Sequence, residues 1–414
     1  MLRCTSKKLH RQGDMQCQRV HENIRYDWSI GSLSLISPFP AELVMHIEFV
    51  TDTYPPDING AAKTLSYLVT CLRAEGHKIT MIGPHPESEL KMAFIRVPKY
   101  ASVNLGLITQ SRLRKHWQKS RPDVIYIAGE AFLGSAAVKA ASRLGIPTIA
   151  GYHTNYDQYA ANWKMEFLAA RATRYMINFH KRTTATVVPS ESVMNDLEEL
   201  GYSDLQVLGR GVDTELFHPS KRSADRRAEW AAGPDTPVAL FASRVSPEKN
   251  LTLLSRAFKK MQQINPDTRC VIVGDGPSYE RFKRENPNVI CCRFKHGEEL
   301  AEIYASADIM VFPSLTETFG NTVTEALASG LVVVAYDYAA AQMHIEHEVN
   351  GLLVDYGNEQ QFLQRCDQAM RLVSDGSLRS AANHSVSNLT WDGVAQRLVN
   401  IASEVIKAQK GLGE

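Results

Sequence analysis

Two glutamates eight residues apart, Glu317 and Glu325, stand in the string Pro313-Ser-Leu-Thr-Glu317-Thr-Phe319-Gly320-Asn321-Thr-Val-Thr-Glu325-Ala-Leu-Ala-Ser-Gly330, directly after the apolar run Ile309–Phe312. The run reads as a strand, Gly320 as a turn, and the following residues as a helix starting near Asn321. The first amides of a helix have no internal partner and point at whatever precedes it. With the macrodipole they form a site suited to an anion such as a diphosphate. Glu317 falls on the loop, where a carboxylate accepts hydrogen bonds from sugar hydroxyls. Glu325 falls on the helix, so the two can approach one ligand from opposite ends. A second string, Ala242-Ser-Arg244-Val-Ser-Pro247-Glu-Lys249-Asn250, also follows an apolar run, and Pro247 suits the first turn of a helix. A guanidinium grips phosphate oxygens as a fork and an ammonium adds a point charge. Taken alone, Arg244 and Lys249 also read as a solvated charged turn.

Between these strings lies Val271-Ile-Val-Gly274-Asp-Gly276-Pro277, which lacks the third glycine of the dinucleotide fingerprint, so an NAD site is rejected. It fits a tight turn into a helix lining the same pocket. In the first half, Asp52-Thr-Tyr-Pro-Pro-Asp-Ile-Asn59-Gly60 follows a strand-like run, and Gly60 permits close backbone approach to a ligand. Gly151-Tyr-His153-Thr-Asn-Tyr-Asp157 clusters groups suited to a hydroxyl-rich ligand, although a single His is more often structural. Asp157 and Glu130, both in loops after apolar runs, are candidates for acceptor contacts. Arg210 and Asp213 read better as members of a structural salt bridge.

The elements that must carry these residues are short apolar runs alternating with amphipathic segments, twice over. Strands without period-two alternation, separated by helices, indicate parallel sheets covered on both faces. The fold class is α/β, as two doubly wound domains facing across a cleft, and 414 residues suit two such cores. Residues 45–208 would form the first domain and 209–390 the second. Residues 391–414 would be a packing helix, and 1–44 a poorly ordered extension, with Met45 a candidate initiator. Apolar content of 44%, charge of 22% and a net charge of +1 describe a soluble protein and give no reason to expect nucleic acid as a partner. Seven cysteines without a Cys-x-x-Cys pair read as free thiols in a reducing, cytoplasmic compartment. Two basic segments with aromatic neighbours, around Arg112–Lys119 and Arg171–Arg182, leave peripheral contact with the inner membrane surface open, with solvated helix faces the plainer reading.

The spacing Glu317-x7-Glu325 with its Thr-Phe319-Gly320, in strand–loop–helix context, resembles the signature of retaining glycosyltransferase family 4, which has the GT-B fold. The resemblance implies that Glu317 contacts the donor sugar and Glu325 the nucleotide ribose. It places Arg244 and Lys249 on the donor diphosphate, and His153 facing the donor sugar. Gly60, Gly274, Arg293, Phe319, Gly320 and Asn321 would complete the donor site, Arg293 beside the base. Tyr54-Pro-Pro-Asp-Ile-Asn-Gly60 and Gly209-Arg-Gly-Val-Asp213 look most like GDP-mannose-dependent α-mannosyltransferases. The expected activity is metal-independent transfer of a hexose from a nucleotide sugar to a sugar or lipid acceptor, with no cofactor. No Asp-x-Asp pair occurs, and Arg244, Lys249 and the helix start would balance the leaving charge instead. Open alternatives are a UDP-glucose or UDP-galactose enzyme acting on a glycolipid, a GT-B epimerase or phosphorylase, and a non-catalytic nucleotide-sugar binder. Oligomeric state is not legible.

Overall fold

Runs such as Val238-Ala-Leu-Phe-Ala242, buried at every position, can form only strands whose two faces are both covered. The computed structural model, which describes residues 44–411 apart from 58, 97–103, 154–165 and 375, arranges them in two six-stranded parallel sheets. The chain divides at Val44/Met45, and everything below belongs to the second unit, Met45–Glu414.

The first sheet has β1 (His46–Thr51), β2 (Lys78–Ile82), β5 (Val124–Ala128), β6 (Thr148–Gly151), β7 (Ala185–Val188) and β8 (Leu205–Val207), in the order β2-β1-β5-β6-β7-β8. A small antiparallel pair, β3 (Ala93–Arg96) with β4 (Asn104–Leu107), stands apart from it. The second sheet has β9 (Val238–Ala242), β10 (Arg269–Val273), β11 (Ile290–Cys292), β12 (Ile309–Phe312), β13 (Val332–Tyr336) and β14 (Leu352–Val354), in the order β11-β10-β9-β12-β13-β14. Each order reverses direction once, between β1 and β5 and between β9 and β12. At such a switch point neighbouring loops diverge and leave a crevice at the carboxyl ends. Arg244 to Lys249 follow β9, and the two-glutamate string follows β12. Asp52 follows β1, and Glu130 follows β5.

The helix Trp391–Gly411 turns its apolar stripe, Ala395, Leu398, Ile401 and Ala402, into the core of the first sheet, against Leu65, Leu68 and Leu72 of the helix Gly60–Ala74. The chain therefore returns from the second sheet to finish the first. The membrane-facing expectation changes at its aromatics. Trp117, on the helix Gln110–Lys119, is fully buried and donates its indole N–H to Glu48, whose carboxylate also meets His116 Nε2 at 3.2 Å and Thr80 Oγ at 3.2 Å. In the second basic segment, Phe179 and His180 are buried as well. Both segments thus spend part of their apolar character on the core. No helix among the described residues is long and apolar enough to cross a membrane. Cys270 and Cys366 are buried free thiols, and Cys71, Cys291 and Cys292 are half-buried ones.

Candidate active site

Lys249 closes a 3-10 turn, Pro247–Lys249, and the next residue, Asn250, caps the following helix by accepting from Leu253 N–H. The proline thus starts a turn ahead of the long helix. That turn drives Lys249 inward to 6% exposure, where its ammonium is bonded to the carboxylate of Glu317. Among the described residues its other hydrogens find only long contacts, Ser314 Oγ and Thr316 O at 3.5 Å each, and the Phe312 ring lies 5.9 Å away. An ammonium has three donors. One is spent firmly, so the others are available to an arriving anion. Arg244 is half-exposed, with Nη2 3.1 Å from Glu248 Oε1.

Gly320, at φ 96°, is the N-cap of the helix Asn321–Ala328, and no side chain caps it. Its opening amides therefore face the Glu317 loop with the positive end of the dipole. Phe319 is 4% exposed and edge-on to His344 at 6.0 Å, so its ring anchors the loop to the core rather than facing the crevice. Glu325, 8% exposed, accepts from Tyr304 O–H at 3.1 Å and pairs with Lys63 Nζ at 2.7 Å. Burial opposes the Lys63 charge, but the Glu325 carboxylate overrides it and holds the ammonium above its ordinary range. Tyr304, buried beside the same carboxylate, is held well above the usual phenol range by that burial and then by the charge. Lys63 sits one turn beyond Gly60 on the helix Gly60–Ala74, so this pair ties the first half to the second. A Cβ added at Gly60 would meet nothing within 4 Å, which leaves room for a ligand to approach the backbone.

Gly274, at φ 141°, passes so close to the β9 loop that a Cβ would come within 1.9 Å of Ser243 O. Arg293 lies on the surface over the Tyr279 ring at 4.5 Å, bonded to Asp275 Oδ2 at 2.8 Å and to Glu280. It braces the glycine loop from outside.

On the first-half side, His153 is half-buried with both ring nitrogens engaged. Arg210 Nη2 donates to Nδ1 at 3.0 Å, and the phenol oxygen Tyr126 Oη lies 3.0 Å from Nε2. A guanidinium can only donate, so Nδ1 is the acceptor and Nε2 carries the hydrogen. Burial, then the Arg210 charge, holds the imidazole well below its ordinary pKa, hence neutral. Gly151 makes this contact possible, because a Cβ there would meet Tyr126 Oη at 2.3 Å. The salt-bridge expectation for each of Arg210 and Asp213 is not met among the described residues, where the partner of Arg210 is this histidine. Asp213 instead accepts from Leu216 N–H at 2.9 Å and Tyr67 O–H at 3.4 Å. Glu130 is 5% exposed with Oε1 3.6 Å from His180 Nε2, and neither atom has a hydrogen-bond partner among the described residues. Asp52, beside it, has its carboxyl pushed up to about 6 by burial, with Gly106 N–H opposing and the Glu130 charge adding. Asp157 lies outside the described residues.

Sequence reasoning passed over Lys63, Tyr304 and Tyr126. A lone hydroxyl inside the buried run Val124–Ala128 was a legible signal for Tyr126, since buried polar atoms require partners. Lys63 carried none, because its partner is 262 residues away.

Residues 58–216 match the description Glycosyltransferase Family 4, and 223–382 match Glycosyl transferases group 1. The chain is 31% identical over 370 residues to a GDP-mannose-dependent alpha-mannosyltransferase of Mycobacterium tuberculosis, covering 86% of this chain and 95% of that one. The chain belongs to glycosyltransferase family 4. The enzyme is also 27% identical over 349 residues to the sulfoquinovosyl transferase SQD2 of Arabidopsis thaliana, covering 80% and 66%. Among solved structures, sucrose-phosphate synthase of Thermosynechococcus elongatus superposes with a TM-score of 0.70 at 18% identity, covering 88% of this chain and all of that one. The two facing parallel sheets of this family 4 enzyme are thus the GT-B fold, and its activity is glycosyl transfer.

Proposed function

We propose that this enzyme transfers a hexose, mannose from GDP-mannose, to a glycan or lipid acceptor with retention of anomeric configuration. The observation that carries the reading is the junction at the second switch point. There buried Lys249, paired with half-buried Glu317, faces an uncapped helix start, and Glu325 lies at the far end of the same loop and helix. Lys249, Arg244 and the opening amides of Asn321–Ala328 hold the diphosphate and take up charge as the C1–O bond breaks. These groups do so without a divalent metal. Glu317 accepts from the sugar hydroxyls and keeps Lys249 aimed. Glu325 accepts from the ribose. The acceptor oxygen arrives on the face the diphosphate leaves, from the first-half side where His153 and Glu130 stand. Neutral, doubly bonded His153 orients the sugar rather than removing a proton.

Mannose is favoured by the 31% identity to a GDP-mannose-dependent enzyme. The SQD2 likeness keeps a different sugar nucleotide as the second reading. Purified full-length chain is to be given GDP-mannose, UDP-glucose and UDP-galactose, and nucleotide release followed. Turnover of GDP-mannose is expected. Turnover of a UDP-sugar alone rejects the mannosyl assignment, and no turnover of any donor with a range of sugar and lipid acceptors rejects the catalytic reading.

A further inference from the structure

Arg210 lies on the connection between the two sheets, three residues past β8, and is 7% exposed. The chain shows elsewhere how it treats an arginine buried for structural reasons. Arg227, 4% exposed, meets Asp308 Oδ2 at 3.1 Å and gives further hydrogens of its two terminal nitrogens to the carbonyls of Ser306, Gly233 and Thr236 at 2.6 to 2.8 Å. That charge is answered by a carboxylate, and both terminal nitrogens are engaged, with only Nε left without a partner among the described residues. Arg210 is treated differently. Its one side-chain hydrogen bond among the described residues goes to His153 Nδ1, a neutral acceptor, and no carboxylate among them pairs with it. Tyr126, the other polar group close by, is neutral too, its phenol pushed up to about 12 by burial. A guanidinium has five N–H donors, and a buried charge without a counter-ion is costly. The site is placed where ligands of doubly wound sheets collect, beside the carboxyl end of β6.

We propose that Arg210 is an anion-binding residue of the cleft, whose N–H groups not engaged by any described residue receive a phosphate- or carboxylate-type oxyanion carried by a ligand at the carboxyl end of β6. The incoming anion supplies the counter-charge that no described residue provides, and His153 stays fixed beside it as a neutral hydrogen-bonding group. The oxyanion comes from the donor diphosphate or from an acidic group on the acceptor. The proposal deepens the nucleotide-sugar reading and rests on it for the identity of the ligand. Inorganic anions test it without turnover, so its failure is distinguishable from failure of that reading.

The full-length chain and its Arg210→Met and Arg210→Lys variants, checked for parent-like circular dichroism, are titrated calorimetrically with inorganic pyrophosphate and with GDP. Inorganic phosphate is then titrated into the GDP complex. Arg210→Met is expected to weaken at least one of these anions by about tenfold or more, the scale of a lost charge-assisted hydrogen bond, with Arg210→Lys recovering part of it. Weakening with pyrophosphate and GDP assigns the donor diphosphate. Weakening confined to phosphate in the GDP complex assigns an acidic acceptor. Affinities for all three within twofold of the parent overturn the proposal, even if the rate falls, because Arg210 would then act only by holding His153. Should Arg210→Met not fold, the His153 Cε1–H resonance of the parent, assigned with His153→Gln, decides between the outcomes. It should move saturably as at least one of the three anions is added, and a resonance stationary at saturation with all three overturns the inference.

Discussion

Lys249 and Glu317 neutralise each other where little water reaches, and each is therefore a liability once the other is gone. Lys249→Met leaves a largely buried carboxylate unpaired, which costs about 3 kcal/mol of stability by analogy with other buried pairs. Transfer should fall by about a hundredfold or more if the ammonium meets the diphosphate. The double variant Lys249→Met/Glu317→Gln should regain most of the stability and none of the rate. Calorimetry and nucleotide release read the two effects separately, and a double variant with near-parent turnover would remove the pair from the chemistry. Asp52 offers a test in pH. Its folded carboxyl titrates at about 6 against an ordinary 3.8, so the folded state holds the proton more tightly than the unfolded chain. The associated stability is full below pH 3.8 and is lost as pH rises through 6. Asp52→Asn, which keeps the acceptor for Gly106 N–H at 2.7 Å, should therefore raise Tm most at about pH 8 and hardly at about pH 4. The difference corresponds to roughly 3 kcal/mol. An equal Tm change at both pH values would contradict it.

Between elements, the contact with most consequence joins the helix Gly60–Ala74 to the helix Asn321–Ala328 through Lys63 and Glu325. One carboxylate oxygen is held by Lys63 and the other by Tyr304, so the group cannot swing away from a ribose approaching the same crevice. Lys63→Met should raise the donor KM about tenfold while kcat stays within about threefold, and Lys63→Arg should restore most of the affinity. A fall in kcat at unchanged KM would show that the pair serves chemistry instead. The helices on either side of this contact were readable from local pattern: Asn59 before a periodic run, with its side chain accepting from Ala62 N–H at 2.8 Å, and Gly320 before another. The pairing of their side chains was not readable, since no local rule joins residue 63 to residue 325.

Across the whole molecule, the last helix commits the chain to a return path. Trp391 stacks on Tyr67 at 4.8 Å and 3°, and the stripe behind it fills the first core. Trp391→Ala removes a large ring that is only 8% exposed and should cost about 3 to 4 kcal/mol. The loss should appear first as faster hydrogen exchange in the helix Gly60–Ala74, with β9, β10 and β12 protected as before. Loss of protection in the second sheet first would mean that the helix stabilises a different part of the molecule.

Composition, the alternation of apolar runs with amphipathic segments, the loops carrying Lys249 and Glu317, and the helix carrying Glu325 were present in the amino-acid order alone. Period and spacing are local properties, and parallel sheets follow from them. The sheet orders that set those loops at switch points, the Arg210–His153 contact in place of a salt bridge, and the Lys63–Glu325 tie were decided by the tertiary structure. Each joins groups far apart along the chain, and only the packing of both sheets and the returning helix brings them within bonding distance.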